Sequence, residues 1–190
     1  MTYRKPDYPI HDIILHRWSP RAMSGEPISD AELMTLFEAA RWAPSSFNNQ
    51  PWRFVYAKKD TPAWDIFFDL LNDSNKKWAQ HAAVLLVIAS CDTFEYSGKY
   101  SRTHSFDTGA AWENLALQGT INNLAVRGME GFSYERAKRR LNIPDGYTVE
   151  AMAAIGKPGN KEELPADLQE KEKPSMRKNI TEFVFEGAFK

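Results

Sequence analysis

Apolar positions along this chain follow two rhythms. Recurrence every three to four residues marks helices, and short continuous apolar runs mark strands covered on both faces. Ser29-Asp-Ala-Glu32 is a capping box, followed by Leu33, Leu36, Phe37 and Ala40 at helical spacing, so an amphipathic helix is expected over 30–42, ended by Pro44. Residues 9–17 predict a short helix, broken by Pro20. Residues 52–57 and 147–155 read as strands, and the continuous run 82–89 as a central one. Thr61 with Pro62 predicts a helix start, with Trp64, Phe67, Phe68 and Leu71 on one side. Residues 72–81 are polar apart from an anchor, Trp78.

The longest helical candidate spans 106–127. It is apolar nearly all round, through Ala110, Ala111, Trp112, Leu115, Ile121 and Val126, so one side is expected to face another subunit. Gly128-Met-Glu-Gly131 reads as a tight turn between this helix and a short basic helix over 133–141. Residues 160–175 are charged and punctuated by proline, an extended arm. Residues 179–185 form a terminal strand or arm. The order α, α, β, α, β, α, α, β, arm defines an α+β or mixed α/β layer fold in one domain over 1–190 and leaves strand order open.

Composition narrows the function. With 24 Lys+Arg against 25 Asp+Glu the net charge is −1, which argues against sequence-independent nucleic-acid binding. Six Trp and eleven Phe suit a large core or flat pockets for rings. The single cysteine, Cys91, excludes an intrachain disulfide framework and reads as a small core residue. No secretory leader or membrane span is evident, so a cytoplasmic setting is expected. Neither common phosphate loop nor a Gly-x-Ser-x-Gly elbow occurs. His11, His16, His81 and His104 share no metal-ligand spacing with one another or with Cys91, so no metal is expected. The basic run Arg136 to Arg140 reads as a solvated helix face.

Four segments remain unexplained by packing alone: Arg17-Trp-Ser-Pro-Arg21, Pro44-Ser-Ser-Phe-Asn-Asn-Gln-Pro-Trp52, Gly128-Met-Glu-Gly-Phe132 and Ser175-Met-Arg-Lys178. With Asp107-x-Gly-x-Ala111, Asn114-Leu115 and Gly156, they make the chain resemble the nitroreductase family of FMN-dependent oxidoreductases along nearly its whole length.

That resemblance implies an α+β sandwich with a central mixed sheet and a long core helix, intertwined as a homodimer with FMN at the interface. It implies that Arg17, Arg21 and Arg177 meet the FMN phosphate, where planar bidentate cations suit a near-dianion. Trp18 and Ser19 stand in the first motif and Lys178 in the last. Ser19 is then a hydrogen-bond partner of the pyrimidine or the phosphate. Arg21 places charge near flavin N1 and O2 and tunes the cofactor. Pro44, Ser45 and Ser46 approach the ring from the partner subunit, and Asn48 braces their loop or bonds the flavin edge. Asn75, with Asn72 the alternative, meets the pyrimidine. Glu130 and Gly131 bring a backbone N–H to flavin N5, since glycine permits close approach. The implied reaction is ping-pong: NADH or NADPH gives a hydride, and a nitroaromatic or quinone-like acceptor takes it. The connection 91–105 is shorter than in many relatives, leaving a site that is more open or lidded by Phe94, Tyr96 and Tyr100. A specialised flavoenzyme of the same fold, and a non-catalytic flavin-binding dimer, are the alternatives.

Overall fold

The computed structural model describes residues 4–189. Its helices are α1 (Asp12–His16), α2 (Asp30–Arg41), α3 (Trp64–Leu70), α4 (Asp73–Ala79), α5 (His104–Ile121), α6 (Tyr134–Arg140) and α7 (Ala166–Gln169). Its strands are β1 (Trp52–Lys58), β2 (Val84–Cys91), β3 (Ala125–Met129) and β4 (Tyr147–Gly156). They form one sheet in the order β1-β2-β4-β3, and every neighbouring pair is antiparallel. The sheet is therefore antiparallel rather than mixed. Strands β2 and β3 run in the same direction on either side of β4, and the connection through α5 carries the chain across it.

Strand β2 lies between β1 and β4, which explains its unbroken apolar run. Leu85, Val87 and Ala89 join a core with Phe67, Leu70 and Trp78 from α3 and α4. Val84, Leu86 and Ile88 face the other way, onto Leu33 and Leu36 of α2 and Ala111 and Leu115 of α5. The alternation follows from the two-residue period of a strand. The capping box holds: Ser29 N–H donates to Glu32 Oε2 at 2.7 Å, and Glu32 N–H donates to Ser29 Oγ at 3.2 Å. Ser29→Ala is expected to destabilise the protein by about 1 kcal/mol, read as a lower urea midpoint at unchanged slope.

Several further expectations are corrected. The long helix ends at Ile121, not 127, and 125–129 is a strand. Asn123 takes a left-handed φ of 54°. Leu124 N–H reaches back to Gly119 O at 2.8 Å and Asn123 N–H to Thr120 O at 3.1 Å, a Schellman closure with asparagine in the usual glycine place. The apolar residues 124–126 mimic helical periodicity but begin β3, so Gly128-Met-Glu-Gly131 follows a strand and is no turn between helices. Gly119 lets β3 return closely, since a Cβ there would lie 2.4 Å from Val126 Cγ2.

The helix expected at Thr61 starts at Trp64 instead, because the Thr61 hydroxyl donates to Lys58 O at 2.7 Å rather than accepting from a helix N–H. The polar stretch after Asn72 is a helix, capped by Asn72 and anchored by Trp78, which is 1% exposed. Toward the C-terminus, 161–163 and 180–182 are single 3₁₀ turns and α7 interrupts the arm, so no terminal strand forms. The core assignment of Cys91 is also adjusted: it is half-buried at the end of β2.

Candidate functional site

Three separate regions carry the motif residues. The first is a cavity of about 220 Å³ lined by Arg17, Trp18, Ser19, Arg21 and Arg177, together with Arg4, Arg127, Lys171, Lys173 and Ser175. Helix α1 ends as the Arg17 N–H bonds Ile13 O at 3.0 Å, and the stretch that follows lies within reach of Arg127, the middle residue of β3. Arg17 Nη1 donates to Ser19 Oγ at 3.3 Å, and its Nε lies 3.2 Å from Glu113 on α5. Arg127 donates to the Ser19 carbonyl and packs over Trp78, 5.5 Å from the ring centroid. Burial, and then the neighbouring Arg21 charge, push the Arg127 guanidinium down to about 10, with Glu172 opposing the shift. It stays charged at neutral pH but lacks solvation, so a further anion in this cavity would be favoured.

The C-terminal arm forms one wall of this cavity. Glu172 Oε1 accepts from the backbone N–H groups of Arg21 at 2.6 Å and Ala22 at 2.8 Å. Its side chain is 3% exposed, and Oε2 lies 3.8 Å from Arg21 Nη1. Arg4 ties the same segments together, donating to Ser175 O at 2.9 Å, Leu15 O at 2.9 Å and Arg17 O at 2.8 Å. Arg177 is exposed, and its Nη1 donates to Ser175 Oγ at 3.0 Å. Lys178 does not line this cavity; it lines a neighbouring surface groove with Tyr8, Ile14 and Phe183.

The second region is a cavity of about 470 Å³ between α5, the end of β3, α6 and β4. Thr108, Trp112, Met129, Glu130, Tyr134 and Glu150 are among its lining residues. Burial, then the charges of Glu130 and Glu150, raise the Tyr134 phenol above its ordinary range. Gly131 lies beside this wall, and its carbonyl accepts from Asn72 N–H and from Asn75 Nδ2, each at 3.0 Å. The two asparagines have distinct duties. Asn72 Oδ1 caps α4 by accepting from Asn75 N–H at 3.0 Å, while Asn75 grips Gly131 and accepts from Trp78 Nε1 at 3.2 Å.

The third region is the loop after α2, and Pro44, Ser45, Ser46 and Asn48 line neither cavity. Buried Asp107 on α5 pins the loop by accepting from Ser46 N–H at 3.0 Å. Ser45 Oγ accepts from Gln50 N–H at 3.0 Å. Phe47, Asn48 and Gln50 take left-handed φ values of 52°, 54° and 49°. The side chain that braces the loop is Asn49, bonded to Thr93 O at 3.1 Å and to Glu95 N–H at 2.9 Å; Asn48 is exposed. Phe47 projects to solvent at 77% exposure, its ring 5.7 Å from both Phe94 and Tyr96.

Sequence reasoning missed Arg4, Arg127, Lys171 and Lys173 as cavity residues. Only Arg127 carried a signal: it is the single charge in the apolar run Ala125 to Met129.

The sheet, the helices on its two faces and these motif positions define an oxidoreductase-type α+β fold, and the comparisons agree. The profile described as the nitroreductase family matches residues 14–157, so the chain belongs to the nitroreductase family. A solved oxidoreductase containing FMN is 46% identical, with 100% of this chain and 99% of that one covered and a TM-score of 0.95. A structure in complex with FMN from Desulfovibrio desulfuricans, provisionally named a nitroreductase, is 25% identical over 97% of this chain and 100% of its own, at TM-score 0.74. MhqN of Bacillus subtilis, provisionally named an NAD(P)H nitroreductase, is 27% identical over 92% of this chain and 96% of its own length. Among the described residues no helix is long and apolar enough to cross a membrane.

Proposed function

We propose that this protein is an FMN-dependent oxidoreductase that passes a hydride from NADH or NADPH to an oxidised small-molecule acceptor of the nitroaromatic or quinone type. The observation that carries this reading is the convergence of Arg17, Arg21, Arg127 and Arg177 on one cavity. The donor set fits the cofactor's phosphate: several planar cations, one of them half-buried, beside a serine hydroxyl. When bound, FMN supplies a ring that accepts a hydride at N5 and returns it.

In this reading Arg17, Ser19, Arg127 and Arg177 hold the phosphate, with Trp18 as wall and Arg21 directing charge toward the ring. Lys178 adds long-range attraction. The backbone at Glu130 and Gly131 borders the ring, fixed by Asn75. Pro44, Ser45, Ser46 and Asn48 serve the site of a second copy. Two exposed apolar side chains on α5, Phe106 at 80% and Ile121 at 61%, favour such a homodimer. Nicotinamide and acceptor use one face in turn, so the nicotinamide leaves before the acceptor enters and the kinetics are ping-pong.

Purified protein is expected to be yellow and to bleach when NADH or NADPH is added without oxygen. A yellow protein that neither bleaches would instead be a non-catalytic flavin carrier. A colourless protein that cannot be reconstituted with FMN overturns the proposal.

A further inference from the structure

A buried polar cluster lies behind the second cavity. Ser90 on β2 is fully buried, and His104 at the start of α5 is 7% exposed. Ser90 Oγ lies 2.5 Å from Glu150 Oε1 and 2.7 Å from His104 Nδ1. Ser105 Oγ lies 2.7 Å from the same carboxylate oxygen and 3.3 Å from His104 Nδ1, which itself lies 3.5 Å from Glu150 Oε1. On the outer side, the Tyr100 hydroxyl lies 3.5 Å from His104 Nε2, and Tyr100 is 67% exposed.

The chemistry of the groups gives these bonds a direction. An ionised carboxylate only accepts, so both serine hydroxyls donate to Glu150. Ser90, its proton so committed, accepts from His104 Nδ1–H. That assigns the imidazole tautomer from its partners and leaves Nε2 as acceptor toward Tyr100. The result is one oriented chain from the surface at Tyr100, through His104 and Ser90, to Glu150 in the cavity wall. A hydrolytic triad is excluded, because Ser90 has no accessible surface and its hydroxyl is bound to the carboxylate.

The surroundings bear on the same groups. Asp92 Oδ1 lies 3.9 Å from His104 Nδ1 and accepts from Thr148. Glu130 and Tyr134 share the cavity with Glu150. Thr108, 2% exposed in that cavity's wall, has a buried hydroxyl with no hydrogen-bond partner among the described residues. A polar atom of a bound small molecule would satisfy it.

We propose that Glu150 donates a proton to the acceptor in this cavity and is reloaded from solvent through Ser90 and His104. The proposal rests on the oxidoreductase reading above and balances for a quinone: quinone, NAD(P)H and one proton give hydroquinone and NAD(P)⁺. The hydride of NAD(P)H brings the electron pair and one hydrogen. Glu150, ionised at rest, first takes the Ser90 proton, Ser90 takes that of His104 Nδ1, and His104 gains one at Nε2 from the Tyr100 side. The Glu150 O–H bond so formed then breaks, and its proton forms the O–H on the remaining quinone oxygen. Exchange with solvent restores the starting tautomer.

The test uses holoenzyme in anaerobic stopped flow, with 2-methyl-1,4-naphthoquinone as acceptor, between about pH 5.5 and about pH 9 in H₂O and D₂O. Glu150→Gln is expected to be reduced by NAD(P)H within about twofold of wild type. Its reoxidation should be slower by roughly tenfold or more, with a flattened pH profile and a smaller solvent isotope effect. The double variant Ser90→Ala/Ser105→Ala keeps the carboxylate but removes both hydroxyls that bridge it to His104, so its reoxidation should also slow while its reduction by NAD(P)H stays within about twofold of wild type. Equal reoxidation rates and pH profiles in wild type and Glu150→Gln overturn the proposal. Ring ¹⁵N spectra read the relay without turnover: His104 should carry its hydrogen on Nδ1 and lose that preference in Ser90→Ala/Ser105→Ala. A ring protonated at Nε2 alone in wild type overturns the relay. If neither nicotinamide reduces the wild type, the oxidoreductase reading falls, and the histidine spectrum still decides the relay.

Discussion

Arg17→Ala is expected to weaken FMN binding by about 1.5–3 kcal/mol, roughly 10- to 150-fold in Kd, while leaving riboflavin affinity unchanged. The contrast isolates the phosphate, which riboflavin lacks. Arg17 loses little elsewhere on truncation. Its ion pair is with Glu113, whose side chain is 48% exposed, and an exposed carboxylate left without its partner is solvated at small cost. Ser19 also loses a donor, but its hydroxyl can rotate to water. The cavity is partly open and lined by exposed Lys171, Lys173 and Arg177, so FMN retention should also fall as salt rises. Isothermal titration with FMN and riboflavin at low and high salt measures both effects. Equal FMN affinity in wild type and variant would remove Arg17 from the phosphate site.

Gly131→Ala is expected to have the largest effect on stability, about 2–4 kcal/mol, and to disturb the ring-side wall as well. A Cβ at this position would lie 2.4 Å from Asn72 Nδ2 and 2.8 Å from Asn75 Nδ2. Those atoms cannot withdraw freely. Asn72 caps α4, and Asn75 is held between the Gly131 carbonyl and Trp78 Nε1. Moving Asn75 breaks half-buried hydrogen bonds worth about 1 kcal/mol each, and moving the exposed Asn72 strains the cap of α4. Urea unfolding should show a lower midpoint at unchanged slope. Asn75→Ala should lower stability less, because it removes one donor to Gly131 and inserts nothing. Gly131→Ala with wild-type stability would mean that the asparagines rearrange without penalty.

The local structure of this chain is largely legible from its order of residues. The Ser29 to Glu32 capping box, the continuous run of β2 and the helix breaks at Pro20 and Pro44 each rest on contacts within a few residues. Where local reading fails, two signals compete. Leu124 to Val126 continue the apolar pattern of α5, yet Asn123 adopts a left-handed conformation that turns the chain, and the apolar residues pair with β4 instead. Helix α4 is obscured because one tryptophan, rather than a stripe, supplies its burial.

The site divides in the same way. Arg17, Ser19, Arg21 and Arg177 stand out by type and order, and the chain places them around one cavity. Arg127 joins them only because β3 lies at the sheet edge beside the 17–21 stretch, which no local spacing records. The Tyr100 to Glu150 relay is equally invisible in the sequence. Its members come from the segment after β2, from α5, from β2 and from β4, and only the register of β2 against β4 sets Ser90 close to Glu150. The sequence alone therefore determined most of the helices and strands, though not β3 or α4, and which motif residues bear cations and amides. The tertiary structure decided which of those residues meet, because side-chain periodicity encodes burial along one element, whereas contact between distant elements depends on the strand pairing and turn geometry that only the folded chain fixes.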